Sequence, residues 1–358
     1  MGGSPYASSI GRLKSDFPTF LGKEIFTQLR RAKGIDEILT LLEPTAYGPH
    51  LNAARATVQG VALLEIALNR ALVHRNHMAW TATPFAGRNG VQEYLRRWDL
   101  RNIELILTAK IDARPLTEVE AHLVSARGLP AGILGGTLTL DDLRLLLEQP
   151  TVEAIAQSLV KFGYGPTLMP LVEQFARSRD VFPLHLALEQ EYYRRCADAA
   201  RFFQGDEWIV RQFLASEIDA RNALLLLKGK ALDLPTDRIF GHWVEGGTLG
   251  RAVAEDLLTT GSVPALAERL ATQYPSLPTF AELYRTTESL TVFEGAIRRD
   301  RARGELQRLR SYPLSIGVIF TYIYLAELEW NDLRQIGFAQ VYGIPDERLD
   351  PLLVLPSL

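Results

Sequence analysis

Gly135-Gly136-Thr137-Leu138 recurs as Gly246-Gly247-Thr248-Leu249, and each copy opens the same run of apolar positions. From Leu138 the series continues through Leu146, Val152, Ile155, Leu159 and Tyr164. From Leu249 it continues through Leu257, Val263, Leu266, Leu270 and Tyr274, with the tyrosine one residue early. A third copy without the glycines runs Leu21, Leu29, Ile35, Ile38, Leu42 and Tyr47. Repeats at periods of 117 and 111 residues are too long for the units of a solenoid and predict three related domains, over 1–131, 132–243 and 244–358.

A second signature closes each copy. Asp99 with Asn102, Asp219 with Asn222, and Glu329 with Asp332 place an acid three residues before an amide, or before a second acid in the last case, on one helix face. Between the two signatures lies a hydrophobic residue followed by glutamate: Leu64-Glu65, Leu188-Glu189 and Phe293-Glu294. Leu234-Pro235-Thr236-Asp237-Arg238-Ile239 also matches Ile344-Pro345-Asp346-Glu347-Arg348-Leu349.

No proline interrupts the chain between Leu184 and Leu234, between Thr279 and Tyr312, or between Leu314 and Ile344, so long helices are permitted there. Apolar residues recur at three and four, as in Ile316, Phe320, Ile323 and Leu328, and strand alternation is scarce. Asn89-Gly90 lacks the alternating flanks of a hairpin. The fold class is all-α. Each Gly-Gly reads as a chain reversal at positive φ, and Gly128-Leu129-Pro130-Ala131-Gly132 reads as a loop inserted in copy one.

Composition narrows the function. The 358 residues are 47% hydrophobic and carry a net charge of -3, which gives no electrostatic reason to expect nucleic acid as a partner. The single cysteine, Cys196, excludes an internal disulfide, as expected for a reducing, cytoplasmic setting. Leu314 to Leu328 is too short and too polar for a membrane span, and the amino terminus shows no signal peptide.

Catalytic motifs are missing: there is no phosphate loop or dinucleotide fingerprint, and no cofactor is expected. His74 and His77 read as solvent-facing, without further metal ligands. Asp141-Asp142 lacks the further carboxylate that a diphosphate-bound magnesium would need, and reads as a helix opening favoured by the macrodipole. An acid repeated in three domains is poor material for one active site. The repeated polar residues either cross-link helices, with Glu65, Glu189, Glu294 or arginines such as Arg101, Arg221 and Arg334, or they line a cavity that meets a partner. Arg298, Arg299, Arg301 and Arg303, continued by Arg308 and Arg310, form a basic stretch that reads as a solvated face or a docking surface for an acidic partner.

Pro313-Leu314-Ser315-Ile316-Gly317-Val318, followed by Tyr324, Glu327, Glu329, Leu333-Arg334 and Ile336, resembles the carboxyl-terminal segment of the C-subunit family of V/A-type (vacuolar/archaeal-type) ATPases, whose eukaryotic relatives are the d subunits. Leu42-x-x-Thr45-x-Tyr47 and Asp99-x-x-Asn102-Ile103 with Lys110 extend the resemblance over the chain. Asp332 stands where that family usually has asparagine, and Gln340 where a lysine like Lys110 or Lys230 is usual. The resemblance implies a funnel of three helical domains around a pseudo-threefold axis. It implies a non-catalytic rotor component seated on the proteolipid (c/K/L) ring, receiving the D and F subunits of the central shaft, and peripheral to the membrane. A free-standing helical scaffold for a cytoplasmic protein is the competing expectation.

Overall fold

A computed structural model of the chain describes residues 5–111, 136–201 and 203–357. Every regular element among them is a helix. The expected loop at Gly128–Gly132, and the junction at 131/132, lie outside the described residues.

Each apolar series forms short helices. In copy one these are α2 (Lys23–Arg31) and α3 (Ile35–Leu42), preceded by α1 (Ala7–Lys14) and followed by α4 (Gly48–Arg55). Longer elements follow, α5 (Gly60–Ala82) with Glu65, then α6 (Phe85–Leu95) and α7 (Arg97–Ile111) with Asp99 and Asn102. Copy two builds α8 (Leu140–Glu148), α9 (Val152–Ser158), α10 (Gly165–Ser178), α11 (Phe182–Ala200) with Glu189, and α12 (Ile209–Ala231) with Asp219 and Asn222. After α13 (Thr236–Gly241), copy three repeats the order as α14 (Arg251–Leu258), α15 (Val263–Leu270), α16 (Ala281–Thr287), α17 (Thr291–Arg310) with Glu294, α18 (Gly317–Tyr342) with Glu329 and Asp332, and α19 (Asp346–Leu349).

Local chemistry explains the boundaries. The hydroxyls of Thr151 and Ser262 occupy equivalent positions and accept from the N–H of Ala154 (3.2 Å) and Ala265 (3.3 Å), capping α9 and α15. Thr139 and Asp142 form a capping box that starts α8. Helices α12 and α18 are both followed by a left-handed residue, Asp233 and Gly343, after which the N–H of Leu234 and Ile344 returns to the carbonyls of Gly229 and Ala339, each at 2.9 Å. Two proline-free windows are nonetheless broken, at Gly205 and at Glu288, both of which take positive φ. Pro170 sits inside α10, and Asn89-Gly90 lies within α6.

The spaced leucines and their terminal tyrosines are core. Leu42, Leu146, Ile155, Leu159 and Leu266 are fully buried, and Tyr47, Tyr164 and Tyr274 are nearly so. At roughly 2 kcal/mol for each large apolar side chain removed from water, these stripes are what holds the short helices down.

The chain divides into two compact units, one comprising Pro5–Thr19 and Ile38–Phe202, the other Phe20–Glu37 with Phe203–Leu358. In the first, α7 packs on α8, α9 and α11, and α5 on α1 and α4. In the second, α12 packs on α14, α15 and α17. Ala223, Leu226 and Leu227 of α12 therefore share one core with Leu266, Phe293 and Ile297 of copy three. The closing helix of one copy is thus built into the opening helices of the next, so the packing units are offset from the sequence repeats. No cut in the packing falls at the expected 243/244 junction, where Trp243 and Val244 are both buried.

Candidate functional site

The repeated acids, all but fully buried, reach the start of another copy. Asp99 of α7 accepts from the N–H of Thr137 (2.7 Å) and Leu138 (3.0 Å) and from the Thr137 hydroxyl (2.8 Å). Asp219 of α12 accepts from the N–H of Leu249 (2.8 Å), the hydroxyl of Thr248 and Nε2 of Gln273 (3.2 Å). Glu329 of α18 accepts from the N–H of Leu21 at 2.6 Å. Leu138, Leu249 and Leu21 are the first residues of the three apolar series. The links run from copy one to two, two to three, and three to one.

These partners differ from the expected ones. Asp99 and Asp219 bind mainly backbone amides and hydroxyls of a turn, where the shared glutamates or neighbouring arginines were expected. A chain reversal leaves N–H groups without helical partners, and a buried carboxylate satisfies two at once.

Gly-Gly follows from this geometry. Gly246 takes φ +105°, a left-handed value suited to glycine. Gly247 and Gly136 are glycine for another reason: a Cβ on either would lie 2.2 Å from the carboxylate oxygen of Asp219 or Asp99. Where copy one has Thr19 in that position, the acid of the link is the longer glutamate.

The second member of each pair ties the next segment down. Asn222 donates from Nδ2 to the Val244 carbonyl (2.8 Å) and accepts from the Val244 N–H (3.2 Å). Asp332 instead accepts twice, from the N–H of Val354 (3.1 Å) and Leu355 (2.7 Å). An amide trades one bond each way with one residue, whereas a carboxylate only accepts and so takes two successive N–H groups. Asn102 is equally buried, and the segment equivalent to Val244 lies outside the described residues.

Two lysines complete the pattern. Lys110 and Lys230 donate to the carbonyls of Leu147 (3.0 Å) and Leu258 (3.2 Å), at the exposed carbonyl ends of α8 and α14. In copy three, where Gln340 replaces the lysine, Arg30 of α2 pairs with Asp350 at 2.5 Å.

Burial sets the electrostatics. It raises Asp99, against the pull of the Thr137 and Leu138 bonds, and lifts Asp332 to about 6. Tyr164 and Tyr274 are held protonated by burial and by the charges of Asp99 and Asp219. Glu65, Glu189 and Glu294 are half-buried on the long helices. Burial, then the charge of Glu189, lifts Glu104 of α7 to about 7.

The basic stretch splits into inward and outward members. Arg299 donates to the carbonyls of Asp350 (3.2 Å) and Pro351 (3.1 Å), fixing the carboxyl-terminal segment on α17. Arg301 bonds Glu217 at 2.9 Å and lies 4.9 Å from the rings of both Phe213 and Tyr324. Arg298 is half-buried, while Arg303 and Arg310 are exposed. Sequence periodicity did not single out the apolar helix ends, where Leu232 is 67% and Tyr342 73% exposed at equivalent positions.

One polar cleft gathers Asp219, Asp300 and Glu305 with Arg211, Arg301 and Arg308. Two of its acids are committed, Asp219 to the turn and Asp300 to the N–H (2.7 Å) and hydroxyl (2.6 Å) of Ser276, whereas Glu305 bonds Arg308 through one oxygen (2.6 Å) and its other, buried oxygen has no hydrogen-bond partner among the described residues. A carboxylate whose lone pairs are filled by fixed donors is a poor general base. Among the described residues no cluster of three His, Cys, Asp or Glu side chains is placed to hold a metal, and His74 and His77 are exposed. No described helix is long and apolar enough to cross a membrane.

The model of the ATP synthase (C/AC39) subunit family matches residues 10–352. The chain is 32% identical over 351 residues to the C subunit of the A-type ATP synthase of Thermoplasma acidophilum, covering 98% of both chains. It is 29% identical over 349 residues to its counterpart from Thermoplasma volcanium, again covering 98% of both. With the counterpart from Methanocaldococcus jannaschii it shares 23% identity over 354 residues, which is 98% of this chain and 86% of the relative. Resemblance in the carboxyl-terminal signature and similarity along nearly the full length agree: the chain belongs to the C/AC39 family of ATP synthase subunits.

Proposed function

We propose that the protein is a non-catalytic rotor component of a rotary ATPase, joining the central shaft of D and F subunits to the membrane proteolipid ring and passing torque between them. The observation that carries this reading is the cycle of acid-to-turn links through Asp99, Asp219 and Glu329. A part that transmits torque works by being stiff. Three sequence repeats, each joined to the start of another through a buried carboxylate, resist shear between the segments so joined. Asp219 and Asp300 bound to fixed donors, and a sequence without a nucleotide loop, fit a coupling part better than an enzyme.

Repetition also bears on the two partners. A ring of identical subunits presents the same surface many times, so repeated exposed elements such as Leu232 and Tyr342 suit it. The reading is tested by immobilising the detergent-solubilised ring and the soluble D–F shaft, and measuring binding of the purified chain to each alone and to both together. Binding to each and a ternary complex are expected, with no ATP hydrolysis by the chain itself. Failure to bind either folded partner sinks the reading in favour of an unrelated helical scaffold.

A further inference from the structure

The outer face of α17 meets α18 and the carboxyl-terminal turn in an open groove. Leu306, Leu325 and Leu355 give it an apolar floor of leucines, and Arg303, Gln307 and Arg310 line it as well. Leu306 and Leu325 are 4% and 9% exposed, so the floor is a strip of core surface at the bottom of the groove. Arg303, Gln307 and Arg310 are spaced four and three residues apart, which sets them in one row on the helix. The arginines are separated by two turns, about 10 Å at 1.5 Å per residue.

Both guanidinium groups face outward. The nearest acid to Arg303 is Asp300, at 4.0 Å, and Asp300 is already bound twice by Ser276, leaving the Arg303 side chain 58% exposed. Arg310 is exposed at the end of α17. Arg299 and Arg301, between them and the start of the stretch, are turned to internal tasks, Arg299 to the carboxyl-terminal carbonyls and Arg301 to Glu217.

We infer that this groove docks an amphipathic helix of a partner protein, one that sets apolar side chains on the leucine floor and acidic side chains seven residues apart against Arg303 and Arg310. An apolar strip flanked by two exposed arginines, one of them only loosely paired, is complementary to a helix with acids at i and i+7 and apolar residues at i+3 and i+4. The arginine pair occurs in one of the three sequence copies. Counting nine and sixteen residues on from the shared glutamate, copy three has Arg303 and Arg310, copy one has His74 and Thr81, and copy two has Asp198 and Gly205. A site present once suits a partner presented once, so it is assigned to the shaft and not to the ring. That assignment rests on the rotor reading above.

The test uses the full chain and synthetic helical peptides of about fifteen residues. One carries Glu at i and i+7 with Leu at i+3 and i+4, a second has Lys for Glu, and a third has the same composition scrambled. The acidic peptide is expected to bind at least tenfold more tightly than the other two, less tightly as salt rises, and to protect residues 303–311 from hydrogen exchange. The double variant R303E/R310E, at exposed positions and with its melting temperature checked, is expected to reverse the preference toward the Lys peptide. Equal binding of the three peptides, no binding, or an R303E/R310E variant that still prefers the acidic peptide overturns the groove, as does binding of anionic vesicles in preference to the peptide. Shaft binding undiminished in R303E/R310E overturns the shaft assignment and leaves the rotor reading intact. Peptide binding without ring or shaft binding removes the rotor reading and keeps the groove.

Discussion

The carboxylate of Asp219 occupies the space in which Gly247 would carry a side chain: a Cβ there would stand 2.2 Å from Oδ1. The same residue pair recurs as Asp99 and Gly136. Replacing Gly247 by alanine must push the carboxylate off the turn, loosening its bonds to Leu249 and Thr248. The expected cost is about 1–3 kcal/mol, the usual range for overpacking a closed site. Urea unfolding of Gly247→Ala measures it, and a loss below about 0.5 kcal/mol, the scatter of ordinary surface changes, contradicts the steric account.

Glu329 reaches Leu21 with a side chain one methylene longer than those of Asp99 and Asp219. Glu329→Asp shortens that reach and leaves the part-buried Leu21 N–H without its acceptor, a cost of about 1 kcal/mol. Glu329→Gln keeps an acceptor oxygen and is expected to lose less. Hydrogen exchange at Leu21 reads the link directly. Unchanged protection in Glu329→Asp removes the closing link between copies three and one.

The helices and their order were legible because spaced leucines and proline-free windows leave marks that period and steric rules decode. The acids were legible as a recurring pair, but their partners were not. Leu138, Leu249 and Leu21 supply backbone N–H groups, which every residue but proline possesses, so nothing in residue type announces them. Gly136 and Gly247 carried the one available sign, since two adjacent glycines exceed what a single left-handed residue requires. Arg299 and Arg301 looked like surface because α17 alone does not reveal the carboxyl-terminal segment lying across it, nor the acid Glu217 on α12. The offset between packing units and repeats was hidden for a similar reason: a period gives the length of a repeat but not where along it the contacts close.

Asp332 makes stability depend on pH in a direction opposite to most carboxylates. Its pKa in the folded chain is about 6, against an ordinary value of 3.8. Between these values the folded chain holds a proton that the unfolded chain has released, so stability falls as pH rises through that window and the loss is complete above about 6. The size is of the order of 3 kcal/mol at 1.36 kcal/mol for each tenfold change in proton affinity. Asp332→Asn abolishes this titration and permits the reciprocal pairing that Asn222 makes with Val244, while giving up one of the two accepted N–H bonds. Unfolding free energies measured from pH 4 to 7 are expected to be flatter for Asp332→Asn than for the parent. Parallel curves would show that Asp332 is not the group responsible.

Arg301 is held on three sides, by Glu217 at 2.9 Å and by the rings of Phe213 and Tyr324, and both charged side chains are only 12% exposed. Removing one member of such a pair leaves a nearly buried charge unmatched, which costs about 3–5 kcal/mol. Arg301→Met is therefore expected to be severely destabilising, as is Glu217→Met. The double variant removes both charges and leaves apolar side chains between α12 and α17, so it is expected to recover most of the loss. The coupling energy from this double-mutant cycle distinguishes a structural arginine from a docking one. A single Arg301→Met variant with parental stability but weakened shaft binding would return Arg301 to the docking face, whereas strong coupling to Glu217 fixes it as a tie between α12 of copy two and α17 of copy three.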